Sequence, residues 1–482
     1  MQQTNSGRNL SMMTDLYQLT MMNAYLRHGM GQNRAVFDLF FRENPNAGTY
    51  FVMAGLQQAI EYINNIHFSK DDIQYLRSLK QFDEDFLTYL SNFRFTGSIY
   101  AMPEGTMVFP TEPIVRVEAP IIEAQLIETA LLNIINHQTL IATKASRVVQ
   151  AAGETSVLEF GLRRAQGPDA GIYGARAAMI GGCDSTSNVM AGQLFGVPVK
   201  GTHAHSWVMS FQNEIDAFRA YAEVFPDNCL LLVDTYNTLN SGVPNAIKVF
   251  HELREKGYEP LGIRLDSGDL AYLSKQARIM LDEAGFPKAA ICASGDIDEE
   301  LIFDLKGQGA KIDIWGVGTK LITSDKFPAL GGVYKLSAEE VDGVMVPRMK
   351  ISDNIIKLTN PGIKKVVRLY SKKHGKAIAD LITLIDEEIE EKPLRIYNPV
   401  ETWKSMVVTG FYVRELMIEV FRDGEQVYTS PDVMAIREYC KREIETLWDE
   451  YKRQRNPHVY KVDLSDKLYD MKKAFLESSR TV

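Results

Sequence analysis

The sequence predicts an α/β protein: an irregular (β/α) barrel of about six or seven parallel strands beside an α+β domain. Three observations carry that prediction. After Gly153, short β-branched or Leu-rich runs recur, each ending in small or polar residues. Helical stretches, clearest at residues 245–257 and 271–285, separate successive runs, which is the alternation of parallel βαβ units. Residues able to do chemistry gather at the run ends, as they do at the strand C-termini of a barrel. A doubly wound open sheet is the alternative, since alternation alone does not fix closure.

Composition bounds the rest. The chain has 482 residues, 45% apolar and 24% charged, with a net charge of −9. At roughly 150 residues per domain that length suggests about three units with an ample core. No apolar stretch reaches the roughly 18 residues of a membrane helix, and the N-terminus lacks the apolar segment of a signal peptide. Four scattered cysteines (Cys183, Cys229, Cys292, Cys440) form no CxxC pair, against a zinc ribbon or disulfide scaffold. A pI near 5.6 argues against a general nucleic-acid coat. The expectation is a cytoplasmic enzyme with no membrane and no nucleic-acid partner.

In chain order, residues 1–120 read as an α+β domain. Thr14-Asp15 offers a cap to a helix with Leu16, Leu19, Met22 and Leu26 at helical spacing and Gly29 as its stop. Tyr17 falls in its first turn. Strand-like runs span 34–55 and 97–117, with helices over 56–95 between them. Hairpins at about 335–400 are expected to complete this domain, with Asp342-Gly343 as one turn signal. Residues 121–334 form the barrel domain, opening with a long helical region at 123–150. Its strand runs start at Val157, Val199, Leu230, Leu261, Ala290 and Ile312. Residues 401–482 make a C-terminal hairpin and helical region, turning at Asp423-Gly424. There Ser430-Pro431 would open a helix; upstream, the acidic run 386–391 would be a solvated loop or helix edge.

The run ends carry the candidate site. Phe160-Gly161-Leu162-Arg163-Arg164 ends the first run. Gly201-Thr202-His203-Ala204-His205-Ser206 ends the second, Asp234 the third, and Arg264-Leu265-Asp266 the fourth. Glycine-bearing turns at Gly295-Asp296 and Gly316-Val317-Gly318 end the last two, where barrels of this type bind phosphate. Aromatic, guanidinium, carboxylate and glycine turns together suit a flat anionic ring and a phosphorylated sugar. An HxH zinc centre is disfavoured, because the other six histidines supply no third imidazole at a run end.

At these residues the chain resembles the nicotinate phosphoribosyltransferase family. The resemblance rests on Thr14-Asp15-Leu16-Tyr17-Gln18, the run from Phe160 to Ala170, Gly201 to Ser206, Arg264 to Asp269 and Pro347-Arg348-Met349-Lys350. It implies a type II phosphoribosyltransferase architecture, a homodimer with shared active sites, and ATP-coupled transfer of phosphoribose from phosphoribosyl pyrophosphate to nicotinate with magnesium (Mg2+). By the same implication Phe160, and Tyr17 from the partner chain, sandwich the pyridine ring. Arg264 grips the carboxylate, and Arg163 lies near base and sugar phosphate. Gly295, Asp296, Gly316 and Gly318 cradle the 5′-phosphate, while Arg348 and Lys350 neutralise pyrophosphate. His205 becomes a phosphohistidine, oriented by Asp234. Asp266 accepts from ribose hydroxyls or helps hold magnesium. Ser187 stands where the related nicotinamide enzyme has an Asp; a carboxylate there would repel nicotinate, so nicotinate is the expected base. His203 has no implied role and reads as a structural neighbour.

Overall fold

The computed structural model describes residues 9–43, 50–352, 357–401 and 403–478. They form two compact units: residues 1–140 with 329–482, and residues 141–328.

The first unit is built on a seven-stranded antiparallel sheet. Its order is Val344–Pro347, Gly332–Val341, Arg34–Phe41, Val115–Pro120, Ser98–Ala101, Ile418–Arg422, Glu425–Gln426. Strand Arg34–Phe41 lies near the middle and is buried on both faces after its first residue, hence its nearly unbroken apolar run. Its one charged interior residue, Asp38, is neutralised by the equally buried Lys364 at 2.7 Å. Both Asp-Gly turns sit where the sequence expects them. Asp342 and Gly343 have φ of 51° and 80°, Asp423 and Gly424 47° and 85°, the left-handed pair that closes a two-residue hairpin. The hairpin strands Lys364–Ser371 and Ala377–Leu384 join a second six-stranded sheet with strands from 394–415 and Val462–Leu464. At its centre Arg368 and Asp380 face each other across the ladder, fully buried, through two hydrogen bonds of 2.7 Å.

Local details depart from expectation in three places. Asp15 precedes helix Leu16–Arg27 without capping it, because its carboxylate accepts from the Thr129 hydroxyl instead. The late helix runs Val433–Thr446 and is capped by Asp432, not Ser430, because the Asp432 carboxylate reaches the Ala435 N–H at 2.8 Å. Within the acidic run, Glu387 is buried, accepting from the Leu384 N–H and the Ser465 hydroxyl.

The second unit holds a six-stranded parallel sheet in the order Ser185–Thr186, Ser156–Glu159, Ile314–Val317, Ala290–Gly295, Gly262–Leu265, Leu230–Leu232. The last strand in sequence pairs with the first, and sequence neighbours pair throughout except Ser185–Thr186 and Leu230–Leu232. That is the cyclic strand order of a barrel. The run at Val199 forms no strand. It makes a single parallel bridge to Thr186, after Pro198 has removed one N–H. The ladder is therefore interrupted at one seam, between this segment and Leu230–Leu232. Phe218, Val249, Phe250, Ile263, Phe286 and Ile291 pack the core between this end of the sheet and its helices.

Candidate active site

The second unit brings most of the predicted residues to the C-terminal ends of its parallel strands. Phe160 follows Ser156–Glu159, and its backbone N–H reaches the Val317 carbonyl at 2.8 Å. Its ring lies over Gly316, where a Cβ would meet ring carbons at 2.7 Å. Gly316 is buried inside its strand, so its bareness serves the ring; Gly318, half-buried, is the member of that pair nearer solvent. Arg163 is exposed in the short 3-10 turn Leu162–Arg164.

Arg264 is the organising cation. Its Nε donates to Ser294 Oγ at 2.8 Å, one terminal nitrogen to Thr202 Oγ1 at 3.2 Å and the other to Asp266 Oδ1 at 2.8 Å. The guanidinium stands 5.7 Å from the Phe160 ring centroid. Asp266 also accepts from the Ser294 hydroxyl. Burial works to raise the Asp266 pKa, but Ser294, Arg264 and His205 outweigh it and hold the carboxyl below its ordinary range. Asp266 therefore stays ionised at neutral pH.

His205 opens the helix His205–Met209. Its Nδ1 lies 3.1 Å from Thr235 Oγ1, and its Nε2 faces two carboxylates, Asp266 Oδ2 at 3.8 Å and Asp234 Oδ1 at 4.0 Å. Asp234 is fixed through its other oxygen, which accepts from the Asp266 N–H at 2.9 Å and the Ser267 hydroxyl at 2.6 Å. Its Oδ1 is buried without a hydrogen-bond partner. A buried carboxylate oxygen left open beside an imidazole is a strong local attraction for an N–H or a cation. Ser187, Gly295 and Asp296 also follow strand ends; Ser187 is half-buried, and the other two are exposed.

His203, two residues before His205, turns inward instead. Its Nε2 accepts the Leu232 N–H at 3.3 Å, and burial pulls its pKa down to about 4.

Tyr17, Arg348 and Lys350 belong to the first unit. Tyr17 is half-exposed on its helix. Arg348 pairs with Glu339 at 3.2 Å, and the Lys350 N–H is held by Thr359 Oγ1 at 3.0 Å.

Two features escaped the sequence. Glu159, fully buried, accepts from the Gly161 N–H and from Thr186 Oγ1 at 2.5 Å, tying the Phe160 turn to the short Ser185–Thr186 strand. It reads as an ordinary strand residue because its partners are 2 and 27 residues away. The second is a cleft of about 110 Å³ in the first unit, lined by Arg42, Lys335, Lys364 and Lys472 and by the carboxylates of Asp38 and Glu43 among others. Burial lowers the pKa of Lys335, Arg42 and Lys350 add to that, and Glu128 opposes them. Burial and Lys364 bring Lys472 down to about 8. With Lys364 neutralised by Asp38, the remaining cations Arg42, Lys335 and Lys472 outnumber Glu43 and favour an anion. No local spacing announces it, as its members come from strands and helices hundreds of residues apart.

Among the described residues no group of three His, Cys, Asp or Glu side chains could hold a metal ion, and no helix is long and apolar enough to cross a membrane.

Comparison with known proteins agrees with this geometry. Family models described as the nicotinate phosphoribosyltransferase (NAPRTase) N-terminal and C-terminal domains match residues 12–136 and 363–472. The nicotinate phosphoribosyltransferase of Bacillus subtilis (strain 168) is 52% identical over 465 residues, 96% of this chain and 94% of that protein. That of Caenorhabditis elegans is 38% identical, covering 95% of this chain and 92% of its own length. A crystal structure of human nicotinic acid phosphoribosyltransferase superposes with a TM-score of 0.85 at 32% identity, covering 96% of this chain and 99% of that one. Similar over nearly its whole length to these proteins, and mixed α/β in the same arrangement, the chain belongs to the nicotinate phosphoribosyltransferase family.

Proposed function

We infer that this chain transfers phosphoribose from phosphoribosyl pyrophosphate to nicotinate, giving nicotinate mononucleotide and pyrophosphate for NAD synthesis, and that ATP hydrolysis is coupled to the transfer. The observation that carries this reading is Arg264 beside the Phe160 ring, with His205 and its two carboxylates at the same strand ends. The ring offers a face to a pyridine, and the guanidinium offers a fork to a carboxylate. The nicotinate nitrogen is unprotonated at neutral pH, so attack on C1 of the sugar needs no general base. What it needs is alignment, and negative charge near the developing oxocarbenium, which ionised Asp266 supplies. Ser187, uncharged, fits a base that carries its own carboxylate.

His205 is the phosphoryl acceptor in this reading. Two carboxylates facing Nε2 favour a proton there, which leaves the Nδ1 lone pair as the nucleophile. An N–P bond forms as the bond from the γ-phosphorus to the bridging oxygen breaks, ADP departs, and water later releases phosphate from the imidazole. Asp234 and Asp266 are the oxygen ligands that would hold magnesium, one or two carboxylates being the usual protein share of its shell. The ion would neutralise phosphate charge. Gly295, Asp296 and Gly318 suit the sugar phosphate, with Arg163 nearby in sequence to the ring. Arg348 and Lys350 would neutralise pyrophosphate. Tyr17, contributed by a second copy of the chain, would complete the sandwich on the base in a homodimer.

The test is pyrophosphate release from phosphoribosyl pyrophosphate with nicotinate, nicotinamide or quinolinate, each with and without ATP. Release with nicotinate, stimulated by ATP, is expected. Release with nicotinamide alone would overturn the assignment of Ser187 and Arg264, and a nicotinate rate that ATP leaves unchanged would overturn the coupling.

A further inference from the structure

The seam in the parallel sheet has an unusual closure. In strand Leu230–Leu232 the ladder runs to Gly262–Leu265, and the Val233 N–H is used on that side, to the Arg264 carbonyl at 3.1 Å. Successive N–H groups of a strand point to opposite sides, so the Leu232 N–H points to the seam. Its residue is 1% exposed, and among the described residues no strand pairs there. A side chain takes the place of the absent strand: His203 Nε2 accepts that N–H at 3.3 Å. His203 is itself only 8% exposed, with its ring centroid 4.7 Å from that of Tyr221 and 6.5 Å from that of Phe218. Accepting through Nε2 requires the neutral ring, and burial secures that form.

The consequence lies two residues further on. Ala204, in extended conformation, leads directly into the helix that His205 opens. That helix has only 5 residues, too short to hold its own place. It is tied down on one side by Trp207, whose indole N–H donates to the Ala217 carbonyl at 3.0 Å. His203 is the tie on the other side, next to the residue that must present a ring nitrogen to a phosphoryl group. Resting on the phosphohistidine reading of His205, we propose that His203 is a positioning residue for phosphoryl transfer: its imidazole closes the sheet seam at Leu232 and thereby sets the backbone from which His205 projects.

The experiment measures phosphoenzyme formed from γ-labelled ATP by the full chain, alongside nicotinate mononucleotide formation with and without ATP. His203→Phe keeps a ring in the aromatic pocket and removes the acceptor. His203→Gln keeps an acceptor at a similar reach. We expect His203→Phe to lower the rate of phosphoenzyme formation by about tenfold or more, the scale of a small misplacement of a reacting group. His203→Gln should recover most of it, and the ATP-independent rate should move by less than about twofold in both, as that route does not use the placement of His205. Phosphoenzyme formation by His203→Phe within twofold of the parent chain would overturn the proposal. So would a failure of His203→Gln to exceed His203→Phe. Should His203→Phe not fold, amide hydrogen exchange of Leu232 in the unmodified chain decides the matter: slow exchange supports the side-chain closure, and exchange at the rate of a free edge overturns it. A parent chain that takes no label at His205 overturns the phosphohistidine reading itself, and this inference with it. That outcome is recognisable without any variant.

Discussion

Gly316 lies directly beneath the Phe160 ring, so close that a methyl group in its place would come within 2.7 Å of two ring carbons. The next obstacle is Ser294 Cβ of the neighbouring strand at 3.2 Å, so the ring must tilt to admit the methyl. Gly316→Ala is therefore expected to raise the nicotinate KM by about 3- to 10-fold, the 0.5–1.5 kcal/mol range of an aromatic stack. The KM for phosphoribosyl pyrophosphate should stay nearly constant, which steady-state kinetics with each substrate varied in turn would check. Equal rises in both would return Gly316 to the phosphate cradle.

Arg264 donates through three nitrogens to Ser294, Thr202 and Asp266, which fixes its fork before any substrate arrives. Arg264→Ala should weaken nicotinate binding by about 10- to 100-fold, as expected for losing hydrogen bonds between charged groups. Arg264→Lys should recover little, because an ammonium cannot make the same three bonds and still present a planar pair of donors. Isothermal titration with nicotinate, or the KM, separates these outcomes.

Asp234 leaves one buried oxygen open toward His205, while its other oxygen is saturated. Asp234→Asn preserves the size of the group and removes its charge. Phosphoenzyme formation from ATP should fall by about 10-fold or more, since the imidazolium that develops loses its nearest buried counter-charge. An unchanged rate would leave Asp266 as the carboxylate that matters.

His203 gives a stability prediction with a definite sign. Its pKa in the folded chain is about 4, whereas an unfolded histidine titrates near 6.5. Between those values the unfolded chain binds more protons, so stability rises with pH from about 4 to 6.5 and is lost as pH falls through that window. The histidine's share of the loss between pH 7 and pH 5 is about 2 kcal/mol. His203→Phe should be less stable than the parent at pH 7 by about 1–3 kcal/mol, from the unsatisfied Leu232 N–H, and the gap should narrow at pH 5. Urea midpoints at the two pH values check this; a gap that widens in acid would show that His203 is charged in the folded chain.

Much of the site was legible in the sequence because strand ends are short-range features. Phe160, Asp234 and Asp266 stand just past short strand runs and Arg264 within one, and the Asp-Gly hairpins announce themselves through a backbone conformation few other pairs adopt. The unreadable parts depend on distant partners. Ser185–Thr186 is a 2-residue strand of polar residues, held by Glu159 rather than by any pattern of its own. The run at Val199 has strand-like composition, yet a single bridge to Thr186 is all it makes next to Pro198, and on the Leu232 side a histidine side chain accepts instead. The cationic cleft gathers Arg42, Lys335 and Lys472 from segments that only folding brings together.

The seven-stranded sheet also has a temporal consequence. Strand Arg34–Phe41 is flanked on one side by Val115–Pro120, but its other neighbour pairs Ala35 with Glu339, about 300 residues downstream. A ribosome adding about 5–20 residues each second needs roughly 15–60 s to cover that distance. During that interval the nascent chain carries a Val- and Phe-rich edge with unpaired amides, the kind of surface that recruits other strands. Residues 141–328, continuous in sequence, can collapse in the meantime, while the other unit waits for its closing strand. Synthesis of this protein is thus a matter of guarding one early strand until a late one arrives, a task suited to a chaperone that shields apolar edges on the ribosome.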